Sequence, residues 1–407
     1  MLQDLQLSGG VGVVVEHAAQ LRRHHGIDAH IVLAQPEEHP RWGYRGLAEL
    51  PVLSFEEALA QTWDVGVATW WQTTSVLFHL TCERYAYFIQ ALEDSFYPAG
   101  APERIGAALT TALPVRFITE ARWVADILED LQPGARVLYV RNGIPKDTFA
   151  SPAAVAPAPE DGPLRVVLEG SADVPLKGVH DALAAVAGMR EPAHVTWVAP
   201  GGGPPPEGVD RVLSGLTHDE MAALFAESHV MVKLSRAEGM YGPPLEAFHM
   251  GATVVTTPVT GHDEYVEHGV NGLVVGWDDV RGTSRTLDLL ARDRRLLHEL
   301  RVGALETARA WPDWRESSQW MALALRRVLR DPPPPVRGAG LRLASEFATV
   351  TAEAQHLNRT IDVEQAARLE LYNQKAWIYA VRARRQLQRA RELRSRAKGR
   401  VKRAIRR

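Results

Sequence analysis

Short runs of apolar, mostly β-branched residues alternate with helical patterns along most of the chain. In the first part these runs are AHIVLA, DVGVATW, VRFITE and RVLYVRNG, which end near residue 143. The alternation then restarts with LRVVLEG, HVTWVAP, DRVLSG, HVMVKLS, ATVVTTP and NGLVVG. Strands separated by helices of this length predict parallel sheets built from βαβ units. The pattern therefore predicts an α/β protein with two doubly wound, Rossmann-like domains that face each other over a cleft.

Two Pro-rich segments divide the chain. The stretch ASPAAVAPAPEDGP reads as a linker, and RDPPPPVRGAG closes the second series of strands. We predict an N-terminal domain over residues 1–150, a second domain over 151–331 and a helical extension over 332–407. Apolar residues three and four apart in the extension indicate a helical hairpin or short coiled coil. The opening MLQDLQL is too polar for a good buried strand, which indicates either a poor first strand or a late start of the chain.

Composition places the chain in the globular class. Hydrophobic residues make up 46% and charged residues 23%, both close to globular averages. The single Cys82 excludes a disulfide framework and fits a reducing compartment. No apolar run reaches about 18 residues, and the N-terminus has neither region of a secretory signal. We therefore expect a cytoplasmic protein.

Charge is distributed unevenly. Residues 382–407 contain thirteen Lys and Arg and one acid, Glu392, so a net charge of −3 divides into +12 on this tail and −15 elsewhere. Such a tail fits an amphipathic helix on anionic lipid, at roughly 1 kcal/mol per cation near the surface. Nucleic acid fits the charge as well, and a solvated tail without a partner is the third reading. We favour the inner face of a membrane as the partner.

Chemistry concentrates in the stretch SRAEGMYGPPLEAF. Glu238 and Glu246 lie eight positions apart around a bend rich in Gly and Pro, directly after the buried run HVMVKLS. Pro244 suits the first turn of a helix, and the N–H groups and dipole of that helix would make an anion site. Two carboxylates beside an anion site suit the hydroxyl groups of a phosphorylated sugar ligand. A helix-capping Glu246 and a solvated Glu238 are the alternative.

The run LSRAEGMYGPPLEAFHMGATVVTTPVTGHDEYVEHGVNGLVV resembles the signature region of retaining glycosyltransferases of family four, which have the GT-B fold. It contains their E-x7-E motif as Glu238 and Glu246, and the likeness extends more thinly over residues 8 to about 330. The segment YFIQALEDSFYP is similar to one in members that transfer rhamnose or mannose to polysaccharides. The resemblance implies transfer of a sugar from a nucleotide-sugar donor to a saccharide acceptor, with retention at the anomeric carbon.

By this resemblance Glu238 contacts the hydroxyls of the donor sugar and Glu246 the ribose, and Lys177 stabilises the departing diphosphate. The backbone amides from Gly239 to Gly242 approach the sugar and the diphosphate of the donor. Ser171 and Ala172 stand where the family usually carries an arginine, which leaves the diphosphate clamp incomplete or borrowing another cation. The resemblance adds the following donor-site candidates: Gly239, Met240, Tyr241, Gly242, Gly170, Arg236, Gly9 and Gly10.

Further side chains have less specific readings. Several polar and aromatic residues of the first domain could line the acceptor side, although core packing suits most of them better: Trp70, Trp71, Phe88, Gln90, Glu93 and Tyr97. No D-x-D triplet and no Cys/His cluster occurs, so we expect no metal and no cofactor. The alternatives to a transferase are a non-catalytic nucleotide-sugar-binding scaffold of a glycan assembly complex and a sugar-nucleotide epimerase or hydrolase of the same fold.

Overall fold

The structure is a computed structural model of the 407-residue chain. It describes residues 1–37, 41–132, 134, 136–334, 349, 360–361 and 363–368. Met1–Glu346 forms one compact unit and Phe347–Arg407 a second. In the second unit the described residues are helical. The predicted helical hairpin lies largely, and the basic tail entirely, outside the described residues.

The N-terminal part of the first unit contains parallel strands in two sheets. Four strands pair in the order β3-β4-β5-β6, and β1 pairs with β2. The bounds are β1 (Ile31–Leu33), β2 (Val52–Ser54), β3 (Thr62–Ala68), β4 (Thr81–Ile89), β5 (Arg116–Thr119) and β6 (Leu138–Tyr139).

The first residues of the chain bridge these two sheets. The Leu2 N–H donates to the Val32 carbonyl at 2.9 Å, and the Met1 ammonium donates to the Val67 carbonyl at 2.7 Å. Leu2 forms only a single bridge, to Leu33. The polar opening stretch thus contributes an isolated bridge and no regular strand of its own.

The second part is one six-stranded parallel sheet in the order β12-β11-β10-β7-β8-β9. Its strands are β7 (Leu164–Glu169), β8 (Ala193–Val198), β9 (Arg211–Leu213), β10 (Val230–Lys233), β11 (Thr253–Thr256) and β12 (Gly272–Val274). The chain winds outward from β7 in one direction and then restarts with β10 on its other side. The strand order therefore reverses between β7 and β10, the place where such sheets bind ligands.

Eleven α-helices of the first unit connect and cover the strands. They are α1 (Gly9–His25), α2 (Phe55–Leu59), α3 (Trp71–Leu77), α4 (Pro102–Thr110), α5 (Arg122–Leu131), α6 (Val179–Ala187), α7 (His218–Glu227), α8 (Gly242–His249), α9 (Val280–Arg292), α10 (Arg294–Ala310) and α11 (Trp314–Arg330). The predicted α/β fold with parallel sheets is confirmed. No described helix is long and apolar enough to cross a membrane.

The central strands are buried on both faces, which explains their continuous apolar runs. All four residues of β10 and of β11 are buried. Each fully buried Val, Leu or Ile side chain stabilises the fold by roughly 1.5–3 kcal/mol. Helices on both faces exclude water from the sheet, so a charged residue in such a strand requires a partner at the strand end.

The last helix of the first unit returns to the first sheet. Met321, Ala322, Ala324 and Val328 of α11 are buried in the same core cluster as residues of α1, β1 and β4. The predicted boundaries at residues 150 and 331 stay predictions. The chain nevertheless crosses to the second sheet and returns, because α11 follows the second sheet in sequence and packs on the first.

Candidate functional site

The carboxyl ends of β7 and β10 place a glutamate and a lysine beside each other. Glu169 ends β7 and Lys233 ends β10, and the register pairs Val232 with Leu168 one residue earlier. Lys233 Nζ lies 2.5 Å from Glu169 Oε2. Because the strand order reverses between these strands, the pair lies at the floor of the expected ligand crevice.

A glycine brings Lys177 to the same place. Gly178 has φ +63°, and a Cβ on it would lie 1.9 Å from the Leu234 carbonyl oxygen, so only glycine allows this approach. The Arg236 N–H donates to the Leu176 carbonyl at 2.7 Å and fastens the short 3-10 helix Pro175–Lys177 to the loop after β10. Lys177 is thereby directed towards Glu238.

Lys177 and Glu238 form a bidentate ion pair. Lys177 Nζ lies 3.0 Å from Glu238 Oε1 and 3.1 Å from Oε2. The lysine side chain is 37% exposed, whereas that of Glu238 is 13% exposed. The structure thus brings together the two residues predicted as catalytic, with the lysine on the solvent side.

The 238–242 loop is braced by three side-chain hydroxyl groups, of which those of Tyr241 and Tyr265 are buried. Tyr241 is fully buried, and its hydroxyl donates to the Lys233 carbonyl at 2.7 Å. The Thr260 hydroxyl donates to the Glu238 carbonyl at 2.8 Å, and the Tyr265 hydroxyl donates to the Tyr241 carbonyl. Burial raises the pKa of Tyr241 well above its ordinary value. Tyr241 is therefore an anchor of the loop and not a side chain open to a ligand.

Glu246 lies one turn deeper in its helix than predicted. Helix α8 begins at Gly242, so Pro244 lies in its first turn, as predicted, whereas Glu246 falls in the second turn. Burial, helped by the charge of Glu169 and opposed by that of Lys233, raises the pKa of Glu246 to about 8. Its carboxyl group accepts no hydrogen bond from the described residues, which leaves it available to a ligand.

The start of α8 offers fewer N–H donors than the sequence suggested. Pro243 and Pro244 have no N–H, and the backbone of Leu245 faces the Tyr265 hydroxyl. Gly242 therefore supplies the first-turn N–H that can meet an anion. An anion at this position would depend more on Lys177 than on the helix.

Residues of the first lobe reach across to the 238–242 loop. A Cβ on Gly239 would lie 1.9 Å from the Gln90 carbonyl oxygen, and Trp123 Nε1 donates to the Gly239 carbonyl at 3.1 Å. The carboxyl group of Glu120 lies beside the backbone of Met240 and accepts a hydrogen bond from Asn142 Nδ2 at 2.7 Å. Since Gln90, Glu120 and Asn142 follow β4, β5 and β6, the carboxyl ends of both sheets meet at this loop.

Three further residues of the second lobe, Gly170, Arg236 and Ser171, occupy positions predicted for the donor site or its diphosphate clamp. Gly170 has φ +133°, and a Cβ on it would come within 3.5 Å of Lys177 Cβ, so it supports that lysine. Arg236 is bound by Asp181 at 2.6 Å and Asp278 at 2.5 Å, which makes it a poor substitute for the missing arginine. Ser171, in the place of that arginine, accepts a hydrogen bond from the Asp173 N–H.

Gly9 and Gly10 lie inside the first turn of α1, not in a turn before it. Neither has a positive φ. Gln90 Nε2 donates to the Gly10 carbonyl at 3.2 Å, and a Cβ on Gly10 would lie 3.1 Å from Gln90 Oε1. Gly10 is thus linked through Gln90 to the 238–242 loop, while a Cβ on Gly9 would meet open space.

The acceptor-side candidates divide by burial. Trp71, Phe88 and Glu93 are buried, and burial raises the pKa of Glu93 to about 8. Trp70 is half-buried and stacks on Phe96, with ring centroids 6.2 Å apart. The half-buried members, Trp70, Gln90 and Tyr97, are those that a ligand could meet.

Sequence reasoning missed Glu169, Lys233, Glu120 and Trp123. The sequence did carry a signal for Glu169 and Lys233, because each is a charged residue at the end of an apolar run, LRVVLE or VMVK. In the described part of the chain, no group of three or more His, Cys, Asp or Glu side chains is arranged to hold a metal ion.

Comparisons with known proteins agree with this fold. Residues 163–293 match the family model described as "Glycosyl transferases group 1". Sucrose-phosphate synthase from Thermosynechococcus elongatus superposes with a TM-score of 0.62 at 14% identity, covering 81% of this chain and 96% of that one. Anabaena Alr3699/HepE, in complex with UDP and glucose, gives 0.62 at 17% identity, covering 80% and 97%.

A third structure is the apo form of the lipopolysaccharide outer core galactosyltransferase WaaB. It gives a TM-score of 0.56 at 10% identity and covers 80% of this chain and 96% of that one. No curated protein matches the chain by sequence. The two-lobed fold is therefore that of GT-B glycosyltransferases.

Proposed function

We propose that the protein is a retaining glycosyltransferase that moves a hexosyl group from a nucleotide-sugar donor to a saccharide acceptor. The observation that carries the proposal is the convergence of Lys177, Glu238 and Glu246 at the strand-order reversal of the second sheet. The group 1 glycosyltransferase match over residues 163–293 supports it. Anabaena HepE, which shares the fold, has been crystallised with UDP-glucose.

Each group has a role in this proposal. Glu246 receives the ribose hydroxyls, since its carboxyl group has no other hydrogen-bond partner in the described structure. Glu238 receives hydroxyls of the donor sugar, and the diphosphate lies between Lys177 and the Gly242 N–H. Donor binding thereby exchanges partners: Lys177 leaves Glu238 for the diphosphate, and the sugar hydroxyls replace the lysine at Glu238.

The reaction itself requires stabilisation of the leaving diphosphate. Lys177 supplies a mobile cation and α8 the positive end of its dipole, where charge develops in the transition state. The leaving phosphate oxygen accepts the proton of the attacking acceptor hydroxyl on the same face of the sugar, which retains the anomeric configuration. We propose that this works without a metal ion.

The acceptor is proposed to be a lipid-linked polysaccharide or cell-envelope glycan that enters from the first lobe. The half-buried Trp70, with an aromatic face that can stack on a sugar ring, and Gln90 lie on that lobe. The basic tail 382–407 would hold the enzyme on the inner face of an anionic membrane, where such acceptors are displayed.

The first experiment measures thermal stabilisation by UDP, GDP, dTDP and their hexose conjugates. The wild-type chain is compared with Glu246→Ala and with Glu56→Ala, which removes an exposed carboxylate outside the site. We expect one nucleotide to raise the melting temperature of wild type and Glu56→Ala, and the shift to be lost in Glu246→Ala. Absence of any shift with wild type would contradict the proposed function.

Transfer is tested next with the nucleotide sugar so identified. Membrane lipids extracted from the source cells serve as acceptor, in buffer with and without EDTA. A product with the donor's anomeric configuration, formed equally in both buffers, is expected. Binding without transfer would favour the scaffold, and conversion of the donor without an acceptor would favour an epimerase or hydrolase.

A further inference from the structure

Lys233 is a buried cation beneath the site. Its side chain is 2% exposed, and its Nζ lies 2.5 Å from Glu169 Oε2 and 4.0 Å from Glu238 Oε1. Burial acts against the charge of Lys233, yet Glu169 and Glu238 outweigh it and raise the lysine pKa. Burying a lysine at the end of a parallel strand costs more free energy than burying an apolar residue there. This cost suggests that the contact of Lys233 with Glu238 has a functional role.

The two lysines at Glu238 differ in what they can reach. Lys177 stands on the solvent side of the carboxylate at 37% exposure and can turn to an arriving diphosphate. Lys233 cannot, because Glu169 holds its Nζ and almost none of its surface meets solvent. When Lys177 leaves, Lys233 remains as the cation nearest to Glu238 among the described residues.

The Glu238 carboxylate lies close to two other carboxyl groups, so its position depends on a nearby positive charge. Glu169, Glu238 and Glu246 bring three carboxyl groups to the ends of β7 and β10 and the start of α8, and the charges of Glu169 and Lys233 both act on Glu246. Without a cation below it, Glu238 would face Glu169 and swing away towards solvent.

We propose that Lys233 is a positioning residue, which holds the Glu238 carboxylate against the donor sugar while Lys177 binds the diphosphate. This inference rests on the proposed function. The two lysines then have different roles. Lys177 binds the diphosphate directly, whereas Lys233 does not contact the donor and affects sugar binding only through Glu238.

The experiment separates these two roles by comparing the dissociation constants of two ligands. A nucleoside diphosphate reports the diphosphate and ribose contacts, whereas its hexose conjugate adds the sugar contact. The ratio of the dissociation constant of the diphosphate to that of the conjugate isolates the sugar. It is measured by titration calorimetry with UDP, GDP or dTDP and the matching conjugate, whichever stabilises the wild type.

Two variants remove the buried charge of Glu169, and only one of them also removes Lys233. Glu169→Gln is the reference, and Glu169→Gln with Lys233→Met leaves no unpaired charge in that pair. We expect the ratio to be about tenfold lower in the double variant than in the reference, which corresponds to roughly 1.4 kcal/mol. The dissociation constant of the nucleoside diphosphate itself should agree between them within about twofold.

Other outcomes would overturn the inference. An equal ratio in both variants would show that Lys233 does not position Glu238, and parallel losses of both ligands would indicate a purely structural lysine. If the double variant melts early, Glu169→Gln with Lys233→Gln, whose two amides can hydrogen-bond each other, replaces it. A wild-type protein that binds no nucleotide would instead reject the proposed function, and this inference with it.

Discussion

Lys177 Nζ contacts both carboxylate oxygens of Glu238, although the two residues are 61 positions apart. The contact exists because Gly178 lets its backbone approach Leu234, so the loop after β7 rests on the loop after β10. Both partners are predicted to contact the donor. In the structure Glu238 binds Lys177 where the diphosphate would bind it, and Lys177 binds Glu238 where the sugar hydroxyls would. Under the proposed function, donor binding opens this pair.

Replacing Lys177 by methionine should weaken binding of the preferred nucleoside diphosphate by tenfold or more. The charge that meets the diphosphate is lost, while the free energy of unfolding should fall by less than about 1 kcal/mol because the pair is partly solvated. Calorimetric titration and urea unfolding measure the two quantities. Lys146→Met, which replaces a half-buried lysine bonded to the Arg309 carbonyl outside the site, is the control. Equal affinity in both variants would exclude Lys177 from the diphosphate site.

Gly239→Ala should prevent the two lobes from meeting. The new Cβ would lie 1.9 Å from the Gln90 carbonyl oxygen, which is backbone and cannot yield without moving its strand. We expect a larger radius of gyration in small-angle scattering and a lower melting temperature in the ligand-free protein.

Gly242→Ala is the matched control for this substitution. It changes the same loop three residues later, where a Cβ meets open space and the backbone has no positive φ. Its scattering curve should match that of the wild type. If Gly239→Ala also matches, the contact between the lobes is not fixed by this glycine.

Stability should fall as the pH rises from 6.5 to 8. Burial raises the pKa of Glu93, Glu120 and Glu246 to about 8 each, above the ordinary value of 4.5. A raised carboxyl pKa means that the folded state binds the proton more tightly than the unfolded state. The resulting stabilisation is complete below about pH 4.5 and is lost as the pH approaches and passes 8. Each group contributes up to about 1.4 kcal/mol per pH unit.

Glu93→Gln tests this pH dependence away from Glu238. The amide oxygen can still accept from the Trp71 N–H, which now bonds Glu93 Oε2 at 2.5 Å. Urea unfolding at pH 6.5, 7.25 and 8 should give a flatter dependence than the wild type, whereas the exposed Glu56→Gln should follow the wild type. Parallel curves for the two variants would show that Glu93 is ionised in the folded protein at neutral pH.

Arg301→Met should destabilise the second lobe by about 2–4 kcal/mol. Arg301 is buried and donates to the Gly251 carbonyl at 2.7 Å and to the Ala156 carbonyl at 2.9 Å, and both acceptors would lose a charged donor. Arg309→Met removes comparable bonds to the linker carbonyls of Pro152 and Ala153, but at an exposed position. Urea unfolding should show a loss several times smaller for Arg309→Met, and equal losses would contradict the burial argument.

Removal of residues 382–407 should release the protein from anionic vesicles. The segment carries thirteen of the chain's 46 Lys and Arg residues. Co-sedimentation with phosphatidylglycerol vesicles should be lost on truncation and weakened by salt, and phosphatidylcholine vesicles should bind neither form. Undiminished binding of the truncated chain would place the membrane contact elsewhere.

The sequence determined the secondary structure and the core of the site. All ten apolar runs singled out coincide with strands, and β10 and β11 are uninterrupted because both faces of their sheet are buried. Strands β2 and β4 were overlooked: β2 has only three residues, and the first half of β4, TCER, is partly exposed and polar. The position of Glu238 after β10 and the place of Pro244 in the first turn of α8 followed from the chain alone, whereas Glu246 lies in the second turn and not in the first.

Tertiary structure decided which charges meet. Lys233 and Glu169 are 64 positions apart and become partners only through the register of β7 with β10. Trp123 and Glu120 reach the 238–242 loop only because the lobes approach, and no local pattern records that approach. Periodicity in a sequence encodes which face of an element is buried. The distances between elements far apart in the chain come from packing the whole molecule.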